Sequence, residues 1–291
     1  MNTFNVLLNN VVRGYLAYFP VTDGKKYVLR WMKQRITPEQ PMVTFRTKHG
    51  FRLRGNLRNA EHQRIYFYGE HDERYEIRNL KRILRPGDTC WDIGANIGFY
   101  TCLFASLVGE AGRVVAFEPA SHTAAFLRDN IALNHATNRV IVVGKAIGNT
   151  ISRQQIFFHT ADMAEGTASL REKPRSESEW VDVDTLDNLF RTLPTPDLVK
   201  IDVEGYQVEL LAGGEKFFAH HSPMIMAELK DSDPNQFRAV ESKFRAWGYL
   251  IYEFKKRSLV RCDDIACSKA RNFFLIKGSS KYRSRVTDLQ T

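Results

Sequence analysis

The chain has no run approaching the roughly 20 consecutive apolar residues of a bilayer-spanning helix, so no membrane span is expected. Cysteine is scarce: Cys90, Cys102, Cys262 and Cys267 are the whole set in 291 residues. None forms a Cys-x-x-Cys pair and no His/Cys cluster has zinc spacing, which argues against zinc modules and assigns no metal ligands. Cys90 and Cys102 sit in apolar segments, where a free thiol serves as a small hydrophobe; Cys262 and Cys267 stay open as a pair. A reducing, cytoplasmic setting follows from this usage. Met1-Asn-Thr-Phe-Asn5 lacks a basic n-region and no small-residue cleavage site follows, so no secretory signal is expected. Acids are rare in residues 1–60, where Asp23 and Glu39 face eleven Lys and Arg. No Asn-Pro-Pro or Asp-Pro-Pro triplet occurs, and no RNA-binding module is recognisable, which disfavours a nucleic-acid partner despite the charge.

What is present is an ordinary globular composition, 43% hydrophobic and 12% aromatic, long enough to bury a sizeable core without staples. The net charge of +9 is uneven: besides the basic N-terminal stretch, Lys277, Lys281, Arg283 and Arg285 load the C-terminal end. Such flanks suit either a solvated surface or an anionic partner: nucleic acid, acidic lipid, a phosphorylated substrate or a charged carrier.

Hydrophobic periodicity divides the chain into residues 1–72, 73–278 and 279–291. Phe4, Leu7, Leu8, Val11, Val12, Tyr15, Leu16 and Phe19 recur at helical spacing before Pro20. That stripe packs on the domain, on a second copy as a homodimer, or on a membrane surface. Val43 and Phe45, then His49-Gly50, then Phe51 and Leu53, read as a hairpin turning at Gly50. Arg64-Ile-Tyr-Phe-Tyr68 reads as a short strand, and residues 73–85 as a helix ending before Pro86-Gly87. From Thr89 onward strands and helices alternate, which implies a mostly parallel sheet covered on both faces, with Tyr249–Phe254 and Asn272–Ile276 as a closing antiparallel pair. Gln154–His159 and Trp180–Val183 interrupt as extended runs around a polar stretch opened by His159 and Asp162. Residues 279–291 read as a flexible basic tail.

The densest signal is Thr89-Cys-Trp-Asp-Ile-Gly-Ala-Asn-Ile-Gly-Phe-Tyr-Thr101, a strand running into a glycine turn and a helix. In open α/β sheets ligands bind beyond the carboxyl ends of the strands. Gly94 and Gly98 let backbone turn sharply and approach a ligand. Glu118, ending Val114-Val-Ala-Phe117, is placed to accept the two hydroxyls of a ribose diol. The combination fits two cofactor classes. A nicotinamide dinucleotide wants Gly-x-Gly-x-x-Gly around its pyrophosphate, and this turn is one glycine short of that spacing. It also carries Asp92, which would repel a pyrophosphate but could take an amino-acid ammonium directly or through water. S-adenosyl-L-methionine has that ammonium and no phosphate.

These residues resemble the FkbM family of class I S-adenosylmethionine-dependent methyltransferases. The resemblance is carried by Asp92-Ile-Gly-Ala-Asn-Ile-Gly-Phe-Tyr-Thr101, Phe117-Glu-Pro119, Val183-Asp-Thr-Leu-Asp187 and Lys200-Ile-Asp-Val-Glu-Gly205, across residues 65–230. It implies a Rossmann-like, seven-stranded, mostly parallel α/β sheet, which the helical and hairpin extension read from the N-terminal periodicity precedes. It also implies O-methylation of a sugar, glycan or natural-product acceptor, with the cofactor against Asp92, Gly94, Asn96, Gly98 and Glu118. Gly144-Lys-Ala146 stands where many class I enzymes place an acid for adenine, so backbone near Ala146 takes that contact. Glu73 falls where the family often keeps an acid and is a candidate for the cofactor entrance.

Leu198-Val-Lys-Ile-Asp-Val-Glu-Gly205 reads as a strand of period two, with Lys200, Asp202 and Glu204 on one face. Charges within an apolar strand are expensive unless paired or functional. Asp202 is the first candidate to hold or deprotonate an acceptor hydroxyl, with His159 as an alternative. Lys200 either positions the substrate or forms a structural ion pair. Glu228, ending Met224-Ile-Met-Ala227, is a second carboxylate at a strand end; with Asp202 it could meet a divalent ion, which nothing in the pattern enforces.

Overall fold

The computed structural model describes residues 11–17, 27–31, 41–159, 176–203, 205–229 and 234–289. After helical stretches at 11–17 and 27–31 comes a hairpin of β1 (Met42–Arg46) and β2 (Arg52–Asn56). Helices α1 (Ala60–Tyr68) and α2 (Arg74–Ile83) follow. The alternating part then runs β3 (Thr89–Ile93), α3 (Phe99–Val108), β4 (Arg113–Phe117), α4 (Ser121–Leu133) and β5 (Val140–Val143). Three strands, β6 (Ala146–Ile147), β7 (Ser152–His159) and β8 (Ser176–Asp184), form a separate small sheet. The main sheet resumes with α5 (Leu186–Leu189), β9 (Leu198–Ile201), α6 (Gln207–Ala212), α7 (Glu215–His220) and β10 (Met224–Glu228). It closes with α8 (Pro234–Ala246), β11 (Tyr249–Phe254), β12 (Leu259–Arg261) and β13 (Asn272–Lys277).

The main sheet is ordered β5-β4-β3-β9-β10-β13-β11-β12. The strands from β5 to β10 are mutually parallel, and β13 enters antiparallel between β10 and β11. This is the expected seven-stranded α/β sheet, and it carries β12 as an eighth, three-residue strand at its edge. One core face gathers Leu103, Phe104, Leu127 and Leu80; the other gathers Trp91, Leu210, Phe217 and Phe244. Trp91 is fully enclosed, stacks on Phe217 at 5.4 Å and donates its indole N–H to the Pro194 carbonyl at 2.9 Å.

Three readings need correction. Residues 64–68 are helical, not a strand, because local capping outweighs their aromatic, β-prone side chains. The Asn59 side chain accepts from the Glu61 and His62 amides at 2.9 and 3.0 Å, and Gly69, at φ 70°, closes the helix onto the Ile65 carbonyl. The C-terminal residues are packed through 289 rather than loose. Tyr282, Val286 and Leu289 are buried, Arg285 grips Asp88 through two bonds of 2.5 and 3.0 Å, and the Tyr282 hydroxyl donates to Asp197 at 2.5 Å. Cys262 and Cys267 are both free thiols, the first buried and the second exposed.

The hairpin and α1 share a continuous core with the alternating part: Phe45, Leu53 and Ile65 cluster with Leu103 and Leu127. Two helical stretches, 11–17 and 27–31, join it through Val12, Leu16 and Leu29, so that part of the N-terminal apolar stripe is spent on this chain's own core. Phe4, Leu7, Leu8 and Phe19 lie outside the described residues, as do Asp162 and Glu204. Among the described residues no helix is long and apolar enough to cross a membrane.

Candidate cofactor and acceptor site

The carboxyl ends of β3 and β9 lie side by side where the strand order reverses, the position at which open α/β sheets bind ligands. Their contact is very close. Gly94 adopts φ +79°, and a Cβ there would come within 1.8 Å of the Asp202 carbonyl oxygen. The Asp202 amide in turn donates to the Ile93 carbonyl at 3.0 Å. The turn is fastened on its other side to β4: the amides of Gly94 and Ala95 both reach the Phe117 carbonyl, and Asn96, at φ 50°, gives its amide to Glu118 Oε2 at 2.9 Å.

A cavity of about 1530 Å³ opens there. This exceeds the roughly 300–1,000 Å³ of an ordinary small-molecule pocket, leaving room for a cofactor and an acceptor together. Gly94, Asn96, Glu118, Ala146, Glu73, Lys200, Asp202 and Glu228 all line it, so eight of the ten expected site residues are brought together. The other two lie behind its wall. Asp92 is 0% exposed, takes the Thr101 hydroxyl on Oδ2 at 2.6 Å, and faces Lys200 Nζ at 3.6 Å from Oδ1, which has no hydrogen-bond partner. Gly98 serves packing: a Cβ there would fall 2.6 Å from Leu127 Cδ1. The side chain of His159 and the whole of Glu204 are outside the described residues.

Glu118 is 6% exposed, and burial pushes its carboxyl up to about 7, against the opposing amides of Ala120 and Asn96. A carboxylate offers about four acceptor positions, and these two amides occupy two of them. Lys200, 4% exposed, reaches Asp202 Oδ2 at 3.1 Å and the Gly94 carbonyl at 3.5 Å, and lies 5.1 Å from the centre of the Tyr100 ring. Burial opposes its charge, but Asp202 and Asp92 together raise its ammonium above the usual lysine range. Asp202 keeps 37% of its side chain exposed. Glu228 is held by the Arg271 guanidinium, with Nε at 2.7 Å.

Four further lining residues escape a reading of local motifs: Glu61, His71, Tyr100 and Asn272. His71 stands between two carboxylates, Nε2 3.3 Å from Glu61 and Nδ1 3.2 Å from Glu73. The second contact is an ion pair out of hydrogen-bond line. Burial alone would lower the imidazole, but Glu61 and Glu73 carry it up to about 10. Burial likewise opposes the Glu73 carboxylate, yet His71, the Tyr100 hydroxyl and Lys200 hold it near 2. Asn272 donates to Glu73 at 2.5 Å, and Asn96 Nδ2 reaches Glu61 at 3.3 Å, so this buried network is tied to the glycine turn. The one local hint was the polar run Gly69-Glu-His-Asp-Glu73 ahead of the first sheet strand.

These residues fit S-adenosylmethionine. Glu118 retains acceptor positions beside the turn, Phe117, Ala146, Ile147 and Ile156 supply apolar lining, and no glycine triplet is present to hug a pyrophosphate. A mostly parallel sheet of this order, with antiparallel β13 between β10 and β11 and a cavity at the reversal point, is the fold of the class I methyltransferases. The Methyltransferase FkbM domain matches residues 92–251, more than half of the sequence, and the chain belongs to that family, whose cofactor is S-adenosyl-L-methionine. It is 30% identical over 138 residues to the hexuronic acid methyltransferase AglP of Haloferax volcanii, across 47% of this chain and 54% of that protein. It is 31% identical to the 31-O-demethyl-FK506 methyltransferase FkbM of Streptomyces tacrolimicus, across 58% of this chain and 75% of that one. The chain therefore spans about half the length of the first relative and three quarters of the second. The crystal structure of methyltransferase FkbM from Methylobacillus flagellatus KT matches with a TM-score of 0.45 at 16% identity, covering 73% of this chain and 52% of that one.

Proposed function

We propose that the protein transfers a methyl group to a hydroxyl of a sugar, glycan or natural-product acceptor. The observation that carries this reading is the half-open Asp202 carboxylate, braced by Lys200 at 3.1 Å on a residue whose main-chain carbonyl packs against Gly94 in the cavity wall. S-adenosylmethionine supplies a methyl group activated on a sulfonium centre. Asp202 takes the proton of the acceptor hydroxyl, leaving its oxygen nucleophilic. Lys200, neutralised from behind by Asp92, fixes the Asp202 carboxylate in one orientation. Glu118 takes the ribose diol, with Gly94 and Asn96 setting the turn against the cofactor and the backbone at Ala146 meeting its adenine. Glu73 and its His71 partner support the entrance, and Glu228 orients the acceptor. Alignment of the two reactants is itself a large part of such a displacement.

A radiolabelled methyl-transfer screen over monosaccharides, glycans and polyketide alcohols tests the reading. Transfer to a hydroxyl that is lost in Asp202→Asn supports it. Transfer to nitrogen or to RNA alone would refute it.

A further inference from the structure

Resting on that reading, we propose that the acceptor carries an oxyanion, a carboxylate or phosphate, bound by Arg78 and Lys256 at the outer wall of the cavity. Arg78 lies on α2 and Lys256 in the turn between β11 and β12, and both line the cavity. The Arg78 guanidinium donates to the Lys256 main-chain carbonyl at 3.2 Å, which joins α2 to the β11–β12 turn across 178 positions and sets two basic residues on one wall of the cavity. One helical turn later Arg82 does the same, donating to the Arg257 carbonyl at 2.5 Å. A basic strip therefore leads along α2 and the turn at the cavity wall.

The two lining cations are distinguished by what they lack. Arg64 pairs with Asp72, Arg74 with Glu70, Lys145 with Asp184, Lys200 with Asp202 and Arg271 with Glu228. Among the described residues neither Arg78 nor Lys256 has a carboxylate partner. Two cations on one cavity wall with no carboxylate partner among the described residues suit an incoming anion. A guanidinium has five N–H donors in a fixed fork that matches carboxylate or phosphate, and the bond to Lys256 uses one of them. The acceptor is thus anchored by its charge at this wall while its hydroxyl faces Asp202.

The test is calorimetry on the full chain saturated with S-adenosylhomocysteine. The probes are 4-nitrophenyl glucuronide, glucose 6-phosphate and the neutral 4-nitrophenyl glucoside. At least one anionic sugar should bind about 10-fold more tightly than the glucoside at low salt, with the preference shrinking as salt screens it. Which of the two does so distinguishes carboxylate from phosphate. Lys256→Gln, whose side chain makes no bond among the described residues, should remove most of the preference at unchanged melting temperature, and Arg78→Gln should remove most of it as well while also losing its bond to the Lys256 carbonyl. Equal affinities, no binding of either anionic sugar, or a preference that survives both substitutions would overturn the proposal. S-adenosylhomocysteine affinity reads the cofactor site independently: its absence in the wild type would sink the underlying function instead.

Discussion

Gly94 and Asp202 are packed with no space for a side chain between them, since a Cβ on the glycine would sit 1.8 Å from the aspartate's carbonyl oxygen. The glycine turn and the candidate base are therefore a single mechanical unit. Gly94→Ala must push β3 and β9 apart or abandon φ +79°. We expect a stability loss of about 3 kcal/mol or more, from overlap plus left-handed strain, together with loss of S-adenosylhomocysteine binding. Thermal unfolding and calorimetry measure both; a wild-type profile would refute the packing.

The ribose contact proposed for Glu118 would make cofactor affinity depend on pH. Its folded-state value is raised by burial from the ordinary 4.5 to about 7. The protonated form is thus favoured on folding, a stabilisation complete below about 4.5 and lost as pH climbs through 7. Ribose binding needs the ionised form, so affinity runs the other way and should rise roughly 10-fold between pH 6 and pH 8. Glu118→Gln should bind more weakly and flatten that rise. The same slope in wild type and variant would show that another group titrates.

Asp202 and Lys200 should separate kinetically from one another. Asp202→Asn should cut turnover at least about 100-fold with S-adenosylmethionine affinity changed little, the signature of a lost base. Lys200→Met instead strands Asp92, which is 0% exposed, beside an apolar side chain. Breaking a buried pair in this way costs about 3–5 kcal/mol. Adding Asp92→Asn should recover part of the loss, as measured by denaturant unfolding; no recovery would mean that the pair is not what Lys200 supports.

The His71 network should leave its own pH signature on stability. The imidazole is raised from 6.5 to about 10, so its contribution is complete below about 6.5 and lost as pH rises toward 10. Glu73, lowered from 4.5 to about 2, contributes above about 4.5 and loses that contribution as pH falls toward 2. The stability gap between wild type and His71→Gln should therefore be widest near pH 5 to 6.5 and close toward pH 10. A gap independent of pH would indicate that His71 acts by packing alone.

The parts of this site that were legible in the sequence are those made by one strand and the turn after it. Asp92 to Gly98, Glu118, and Lys200 with Asp202 each belong to a single strand end, where period-two alternation and glycine spacing place them without knowledge of the rest. Tyr100 and Asn272 were not legible because they meet Glu73 across 27 and 199 positions, and Glu61 and His71, though near Glu73 in the chain, are brought to the cavity only by the tertiary fold. Ile65-Tyr-Phe-Tyr68 misled because its side chains favour strands, whereas the deciding information lay outside the run, in Asn59 and Gly69. The tail misled through its charge. Arg285 and Tyr282 look solvated in sequence, and only the tertiary positions of Asp88 and Asp197 turn them into anchors.

The placement of β13 has a consequence for biosynthesis. This strand is the latest of the main sheet to be translated, yet it is seated between β10 and β11. Until it emerges, β10 presents an unpaired edge, the kind of surface on which nascent chains associate wrongly. Asn272, at its first position, also supplies the bond to Glu73 that braces the cavity entrance. A ribosome-bound chain stopped just before residue 272 would hold every glycine-turn residue and still lack both the strand that covers the β10 edge and the bond from Asn272 to Glu73.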